Sequence, residues 1–236
     1  MKLAVISDLH LGGADRTDTF GHDDADFLRF LSFLERNFEQ VVLLGDIWET
    51  LTGTSPGRER LVLERARAAH SEIARRFAND KYRYVFGNHD RVCANADRVP
   101  EMWSLQVDGV RLLFTHGHQN DLLLRKARWA AELGVWLGGW IRRFGLLSLY
   151  RICNRLDELR SGFGATDADQ RQFRRWALSF AERHAADVIV TGHTHYAARV
   201  ERQGRLYLNS GSCSEGQLSF LSIDTRRGEY EVHRTF

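Results

Sequence analysis

The chain has 236 residues, of which 43% are hydrophobic, so it can bury the core of one large α/β domain with an insertion. Its formal net charge of +2 gives no electrostatic argument for a nucleic-acid partner. Three cysteines without Cys-x-x-Cys spacing argue against a disulfide framework and a structural zinc site. The N-terminus lacks the apolar stretch of a signal peptide, and no uncharged apolar run could span a bilayer, so we expect a cytoplasmic protein.

Strand and helix patterns alternate over the first ninety residues. Apolar runs at 3–6, 41–44 and 82–86 predict buried strands. Helical spacing of apolar residues at 27–34, after two aspartates, predicts a helix, and residues 58–77 predict one long charged helix. The residues of this second helix that are expected to face inward are Ala66, Ala69, Ile73 and Phe77. The order of elements favours a parallel βαβ core.

The pattern changes in the second half of the chain. Asp108-Gly109 between two apolar runs predicts a β-hairpin over 104–114. Residues 122–184 read as almost entirely helical, 188–190 as a strand, and the remainder as short strands. We therefore expect one domain over residues 1–236, with a helical cap insertion at about 122–165.

Five predicted strands end in side chains that can bind a metal ion. The candidate ligands are Asp8, His10, Asp46, Asn88, His116, His193 and His195. This mixture of imidazole, carboxylate and amide groups suits Mn²⁺, Fe²⁺ or Zn²⁺ better than Ca²⁺ or Mg²⁺. Seven ligands exceed the needs of one tetrahedral ion, whereas two ions sharing a carboxylate would use them all, as in sites for in-line displacement at phosphorus. A single histidine at a strand end is more often structural, but five such segments argue against coincidence.

Five motifs together resemble the calcineurin-like metallophosphoesterase superfamily: Asp8-Leu9-His10, Gly45-Asp46, Gly87-Asn88-His89-Asp90, His116-Gly117-His118 and Gly192-His193-Thr194-His195. The resemblance implies a four-layer α/β/β/α sandwich of the metallo-dependent phosphatase type with two divalent ions, Mn²⁺ being the first choice. It assigns one ion to Asp8, His10, Asp46 and His195, and the other to Asp46, Asn88, His116 and His193. It also implies that His89 stabilises developing charge or protonates the leaving oxygen, and that Asp90 orients His89.

A narrower resemblance is to bacterial UDP-2,3-diacylglucosamine hydrolases and their relatives. Its basis is the segment 45–49, the acidic residue soon after His116-Gly117, the helical insertion, and the Arg- and Asn-bearing segment 149–155. The substrate contacts that it implies are Asp121, Arg151, Asn154 and Arg155. This sequence departs from the pattern of that group at two positions, with His89 in place of Arg and His118 in place of Asp.

The insertion combines apolar residues at 133–149 with an excess of arginine. Cap helices packed on each other, a groove for acyl chains, a surface on the inner face of the membrane and a homodimer contact are all consistent with this composition. We expect hydrolysis of a phosphate ester or pyrophosphate bond, with UDP-2,3-diacylglucosamine or a related lipid-linked nucleotide as the named candidate. The alternatives are a general phosphodiesterase, phosphomonoesterase or nuclease on the same site and, with less support, a catalytically silent scaffold. A nucleic-acid partner has no strong signal.

Overall fold

The computed structural model describes residues 1–53, 57–120, 122–145 and 167–235. The strands in these ranges are β1 Lys2–Ile6, β2 Gln40–Leu44, β3 Tyr82–Val85, β4 Met102–Val107, β5 Val110–Thr115, β6 Val188–Thr191, β7 Ala198–Arg202, β8 Arg205–Asn209, β9 Leu218–Asp224 and β10 Glu229–Thr235. The helices there are α1 Asp24–Asn37, α2 Glu59–Ala69, α3 Ser71–Phe77, α4 Cys93–Ala96, α5 Leu122–Arg143 and α6 Asp167–Arg183, with a 3₁₀ turn at His118–Asn120.

The described strands form two five-stranded sheets, in the orders β10-β9-β1-β2-β3 and β4-β5-β6-β8-β7. In the first sheet, β1, β2 and β3 are parallel, and β9 runs antiparallel to β1. In the second sheet, β5, β6 and β8 are parallel. The expected parallel βαβ core is therefore present, and a second mixed sheet accompanies it.

Three clusters of buried apolar side chains fill the spaces between the layers of the fold. The first lies between α1–α3 and one face of the first sheet, the second lies between the two sheets, and the third lies between the second sheet and α6. The side chains of β1 alternate between the two faces of the sheet: Leu3 belongs to the cluster between the sheets, and Ala4 belongs to the cluster under the helices. This arrangement confirms the α/β/β/α sandwich expected from the sequence.

Local sequence explains where the first helix and the hairpin turn form. The side chain of Asp23 caps α1 by accepting hydrogen bonds from the backbone N–H groups of Ala25 (2.8 Å) and Asp26 (3.4 Å). In the hairpin, Asp108 and Gly109 have φ angles of 50° and 78°. Two consecutive positive φ angles define the type I′ turn that connects antiparallel strands.

The prediction of one long helix over 58–77 is wrong. The helix breaks at His70, whose backbone leaves helical geometry (φ −113°, ψ 48°). The buried His70 ring contacts Asp24 (2.7 Å) and Asp18 (3.4 Å), so tertiary contacts hold the break. Ala69, the last residue of α2 and expected to face inward, is exposed.

The orientation predicted for Phe77 is met only partly, because that side chain is half-buried. The other two residues predicted to face inward, Ala66 and Ile73, are buried. The α2–α3 pair therefore contributes two of its four expected core side chains.

The helical insertion is described in part. Helix α5 occupies 122–143, and residues 146–166, which include most of the remaining predicted cap, lie outside the described residues. Within the described ranges, none of the helices combines the length and the apolar character needed to cross a bilayer.

The Asp23 cap supplies a test of the α1 boundary. We expect Asp23→Ala to lower the free energy of unfolding by about 1 kcal/mol, because two N-terminal N–H groups lose their acceptor. Urea denaturation followed by circular dichroism would measure the change. Asp23→Asn keeps an acceptor and should retain most of the stability; equal stability of the Ala variant and the unmodified protein would contradict the capping role.

Candidate metal centre

The predicted ligands converge at the carboxyl ends of strands from both sheets. Three groups of three form among the described residues: Asp8 with His10 and His195, Asp46 with His116 and His193, and His10 with Glu49 and His89. Within each group, the potential ligand atoms lie within 4.8 Å of one another. The first two groups each contain three of the four residues in one of the ligand sets implied by the resemblance, and ion binding by these sets stays a prediction. The third group was not expected from the sequence.

Each buried aspartate has one oxygen anchored and the other directed at a histidine. The Oδ2 atom of Asp8 accepts hydrogen bonds from the Ser7 hydroxyl and from the backbone N–H of His193 (3.1 Å). Its Oδ1 atom lies 3.3 Å from Nε2 of His195. In Asp46, Oδ1 accepts from the backbone N–H of His89 (2.8 Å), while Oδ2 lies 3.1 Å from Nε2 of His116. Both carboxylates are thus fixed in orientation by the fold.

Two buried polar atoms at this centre, Nε2 of His10 and Oδ1 of Asn88, have no hydrogen-bond partner among the described residues. Two other buried atoms, Oδ1 of Asp8 and Nε2 of His116, make the ion-pair contacts described above. The Nδ1 atom of His116 donates to the carbonyl oxygen of Leu44 (2.9 Å), a contact that directs Nε2 into the centre. Unpaired buried polar groups are costly, so a cluster of them fits a cation that would bind them all.

Backbone strain is concentrated at the same residues. The non-glycine residues Asp8, His10, Asp46, His193 and His195 all have positive φ angles, between 52° and 68°. A left-handed conformation at such a residue costs about 1–3 kcal/mol and persists only where its surroundings enforce it. Five such residues at one place indicate a functional constraint on these side chains.

Close backbone packing also demands glycine beside the cluster. Gly45 has a φ angle of 82°, and a Cβ atom there would overlap the ring of His116. A Cβ atom at Gly87 would overlap the carboxylate of Asp46. The glycines of the sequence motifs therefore leave room for candidate ligands from neighbouring strands.

Opposite charges control ionisation at this centre. Burial alone would raise the pKa of Asp46, but His116 and His89 outweigh it and hold that pKa well below its usual value. Burial would lower the pKa of His116, but Asp46 and Asp8 raise it to about 9. For His193, burial and the neighbouring His116 both act to lower the pKa, so its ring is neutral, as a metal ligand must be.

The structure corrects the expected partner of His89. Nδ1 of His89 lies 2.7 Å from Oε2 of Glu49, and the same oxygen lies 3.3 Å from Nδ1 of His10. The carboxylate of Asp90 makes no described contact with the His89 ring. Glu49, which is buried, is therefore the group that orients His89. Burial would lower the pKa of His89, but Glu49 and Asp46 raise it to about 10.

Asp90 instead ties two of the site's loops together. It accepts hydrogen bonds from the backbone N–H groups of Gly87 (2.6 Å) and Ile47 (2.7 Å), and from the hydroxyl group of Tyr84. The role expected for Asp90 is wrong because its carboxylate contacts these donors, whereas the His89 ring contacts Glu49. Its contacts hold the loop after β2 against the loop after β3.

The remaining predicted site residues cannot be placed. Asp121, Arg151, Asn154 and Arg155, expected to contact substrate, lie outside the described residues. Glu49, in the 45–49 segment, is a candidate from the sequence for a contact with the ligands or the substrate, but the sequence did not predict that it orients His89. Ser7, which anchors Asp8, carried no signal beyond its position in front of a candidate ligand.

Comparison with known proteins identifies the family. The model of the calcineurin-like phosphoesterase superfamily domain matches residues 1–136. The chain belongs to the calcineurin-like phosphoesterase superfamily. The matched part holds the candidate ligands from Asp8 to His116, and the fold adds His193 and His195 from beyond it.

The chain also resembles individual proteins, at sequence identities of 17–26%. Curated UDP-2,3-diacylglucosamine hydrolases from Shigella dysenteriae serotype 1 and Escherichia coli O7:K1 are 26% and 25% identical, each over 84% of this chain and 83% of their own length. A solved structure described as a novel archaeal phosphodiesterase is 17% identical and covers 100% of both chains, with a TM-score of 0.48.

The His89–Glu49 pair gives a pH-dependent test in the metal-free protein. The His89 pKa, about 10 in the folded protein, lies above its ordinary value of 6.5. The pair's contribution to stability is therefore complete below about pH 6.5 and is lost as the pH rises through about 10. We expect Glu49→Gln to lower the His89 pKa by about 1–3 pH units, because an adjacent negative charge is removed.

NMR titration of the His89 imidazole would measure this pKa. Glu101→Gln is the matched control, because Glu101 pairs with a different histidine, His118, at 3.3 Å. The control should leave the His89 pKa in place. An unchanged His89 pKa in Glu49→Gln would refute the pairing.

Proposed function

We propose that this protein is a metal-dependent phosphoesterase that hydrolyses phosphate diester or pyrophosphate bonds. The observation that carries the proposal is the convergence of two ligand groups, Asp8–His10–His195 and Asp46–His116–His193. Beside them, Nε2 of His10 and Oδ1 of Asn88 are buried without a hydrogen-bond partner among the described residues. Membership of the calcineurin-like phosphoesterase superfamily supports the reaction class.

The candidate ligands divide between two divalent ions, for which Mn²⁺ is our first choice and Fe²⁺ or Zn²⁺ are alternatives. Asp8, His10 and His195 would hold one ion, His116, His193 and Asn88 the other, and Asp46 both. Two such ions would supply the positive charge that activates water and stabilises in-line displacement at phosphorus. The chain's own part is to hold the ligands in place before substrate arrives, through the anchored carboxylate oxygens.

His89 would act on the substrate itself. Its Nδ1 atom is held by Glu49 at 2.7 Å, and in the metal-free protein Glu49 and Asp46 raise its pKa to about 10. The proton on Nε2 is then available to the leaving oxygen or to a phosphoryl oxygen on which charge develops. Glu49 keeps the ring in orientation and stabilises its positive charge.

A lipid-linked nucleotide, with UDP-2,3-diacylglucosamine as the named candidate, is the substrate that we propose. The curated relatives bear that name at about one quarter identity over most of the chain. Helix α5 adds apolar side chains at helical spacing, Trp129, Leu133 and Leu137, all exposed. Such a ridge suits acyl chains or the cytoplasmic face of a membrane, and contact with a second subunit is an alternative use.

A general phosphodiesterase is the second candidate. The observation in its favour is the His89–Glu49 pair, because the narrower group typically has arginine at the position of His89. A protonated histidine can act on any ester oxygen that leaves phosphorus, without contacts to a particular nucleotide. The two candidate functions would use the same metal centre and differ in whether the surrounding residues recognise a lipid-linked nucleotide.

A turnover assay on Mn²⁺-loaded protein separates the candidates. The substrates are UDP-2,3-diacylglucosamine, an aryl phosphodiester and an aryl phosphomonoester, with EDTA-treated protein as the control. We expect cleavage of the lipid nucleotide to UMP, abolished by EDTA. Activity on the simple esters alone would favour the general phosphodiesterase, and inactivity on all three with Mn²⁺ bound would contradict the enzyme proposal.

Substitution of the shared carboxylate tests the ligand assignment through binding as well as turnover. Mn²⁺ should raise the melting temperature of the unmodified protein, since saturation at a hundred times Kd stabilises by about 2.7 kcal/mol. In Asp46→Asn this increase should largely disappear, and turnover should fall by at least about a hundredfold. Asp80→Asn, a change at an exposed carboxylate before β3, should leave both unchanged. A full Mn²⁺ response in Asp46→Asn would remove Asp46 from the site.

A further inference from the structure

Arginine side chains in the last turns of α5 donate hydrogen bonds to two loops of the candidate metal centre, the loops that follow β1 and β2. Arg142 donates to the backbone carbonyl of Asp18 (3.0 Å). Arg143 donates to the backbone carbonyl of Thr52 (3.1 Å) and to the carboxylate of Asp15 (2.9 Å). Both acceptor loops continue directly from the strand ends that carry candidate ligands, so α5 contacts the segments that hold those ligands.

The helix backbone also approaches one of these loops closely. A Cβ atom built at Gly139 would lie 3.2 Å from the Cβ atom of Thr52, tighter than an ordinary van der Waals contact. Gly139 and Arg143 are one helical turn apart, and both contact Thr52. The pair of contacts fixes both the distance and the rotation of α5 relative to the loop.

The arginine contacts lie beside half-buried apolar side chains of α5, namely Trp136, Trp140 and Ile141. On the same helix, Trp129, Leu133 and Leu137 are exposed. The guanidinium group of Arg143 lies over the ring of Trp140 (5.6 Å) and is only partly exposed to solvent. Charge-assisted hydrogen bonds are individually strong but are weakened by salt where they are exposed, so the contact can be reversible.

The loop that receives Arg142 and Arg143 is itself held firmly to the helical layer. The Asp18 carboxylate accepts hydrogen bonds from the backbone N–H groups of Ala14 (3.0 Å) and Phe20 (2.9 Å), and it contacts Nε2 of His70 (3.4 Å). A displacement at this junction is therefore expected in α5 and not in the loop.

We propose that Arg143, with Arg142, forms a latch that sets the position of α5 beside the metal centre and makes the site selective for phosphoesters large enough to reach this helix. The selectivity for large phosphoesters rests on the proposed function, whereas the positioning of α5 by Arg143 does not. Arg143 is a positioning residue, because it acts through α5 and does not contact the reacting atoms. The occupant of the space beside α5 is the non-reacting part of the ester, such as the glycolipid portion of a nucleotide-linked lipid.

Hydrogen exchange of the α5 amides tests the latch without reference to catalysis. In the full-length protein, Arg143→Ala should speed exchange over residues 132–143 by about fivefold, and Arg143→Lys should fall between the two. High salt should speed exchange in the unmodified protein and have little further effect in Arg143→Ala. Arg175→Ala, at an exposed arginine of α6, is the matched control and should not alter α5. Unchanged α5 exchange in Arg143→Ala would overturn the latch.

Kinetics with two substrates tests selectivity. For Arg143→Ala, we expect kcat/KM on UDP-2,3-diacylglucosamine to fall about fivefold relative to that on an aryl phosphodiester, mainly through KM. Asp15→Ala should shift the ratio in the same direction, and the double variant should add little, because both changes break one ion pair. A parallel loss on both substrates would overturn the selectivity role.

Failure of the proposed function is distinguishable from failure of the latch. If the unmodified protein cleaves the aryl phosphodiester but not the lipid nucleotide, the proposed substrate and the selectivity inferred from it are wrong. The exchange rates of α5 still decide whether Arg143 latches the helix, because they require no turnover.

Discussion

Asp8 and Asp46 are buried carboxylates whose inner oxygens are held by donors from the neighbouring strand ends. The backbone N–H of His193 holds Asp8, and that of His89 holds Asp46. These bonds cross from the segment carrying one candidate ligand to the segment carrying another. These hydrogen bonds therefore hold strand ends from both sheets together at the candidate metal centre. Loss of either carboxylate would remove a candidate ligand and also a fastening between the strand ends.

The candidate metal centre has backbone conformations and buried polar atoms that are unfavourable without the rest of the fold. Five candidate ligands have left-handed backbone conformations, and the ligand atoms Nε2 of His10 and Oδ1 of Asn88 are buried without a hydrogen-bond partner in the described part of the chain. Both features oppose folding, and the apolar clusters on either side of the first sheet offset them. A cation would relieve the second feature and leave the first in place. Fold stability and metal affinity are therefore coupled through the same side chains.

The sequence predicted most of the fold and the candidate ligands for a common reason. Buried strands are apolar throughout, so the change to polar residues at each strand end is visible without a structure. The break at His70 could not be foreseen, because the contacts to Asp18 and Asp24 that hold it come from remote parts of the chain. The exchange of roles between Asp90 and Glu49 has the same origin: neighbours in sequence were taken as partners, whereas the loops place Glu49 against His89.

The central position of β1 in the first sheet has a consequence for biosynthesis. This first strand pairs on one side with β2, which follows soon after it, and on the other with β9, which is separated from it by most of the sequence. A ribosome releases β1, β2 and β3 well before β9, so one edge of β1 stays open while the middle of the protein is made. The candidate ligands His193 and His195 emerge late as well. The ligand set and the sheet that supports it are thus completed only after the long segment between β3 and β9 has been made.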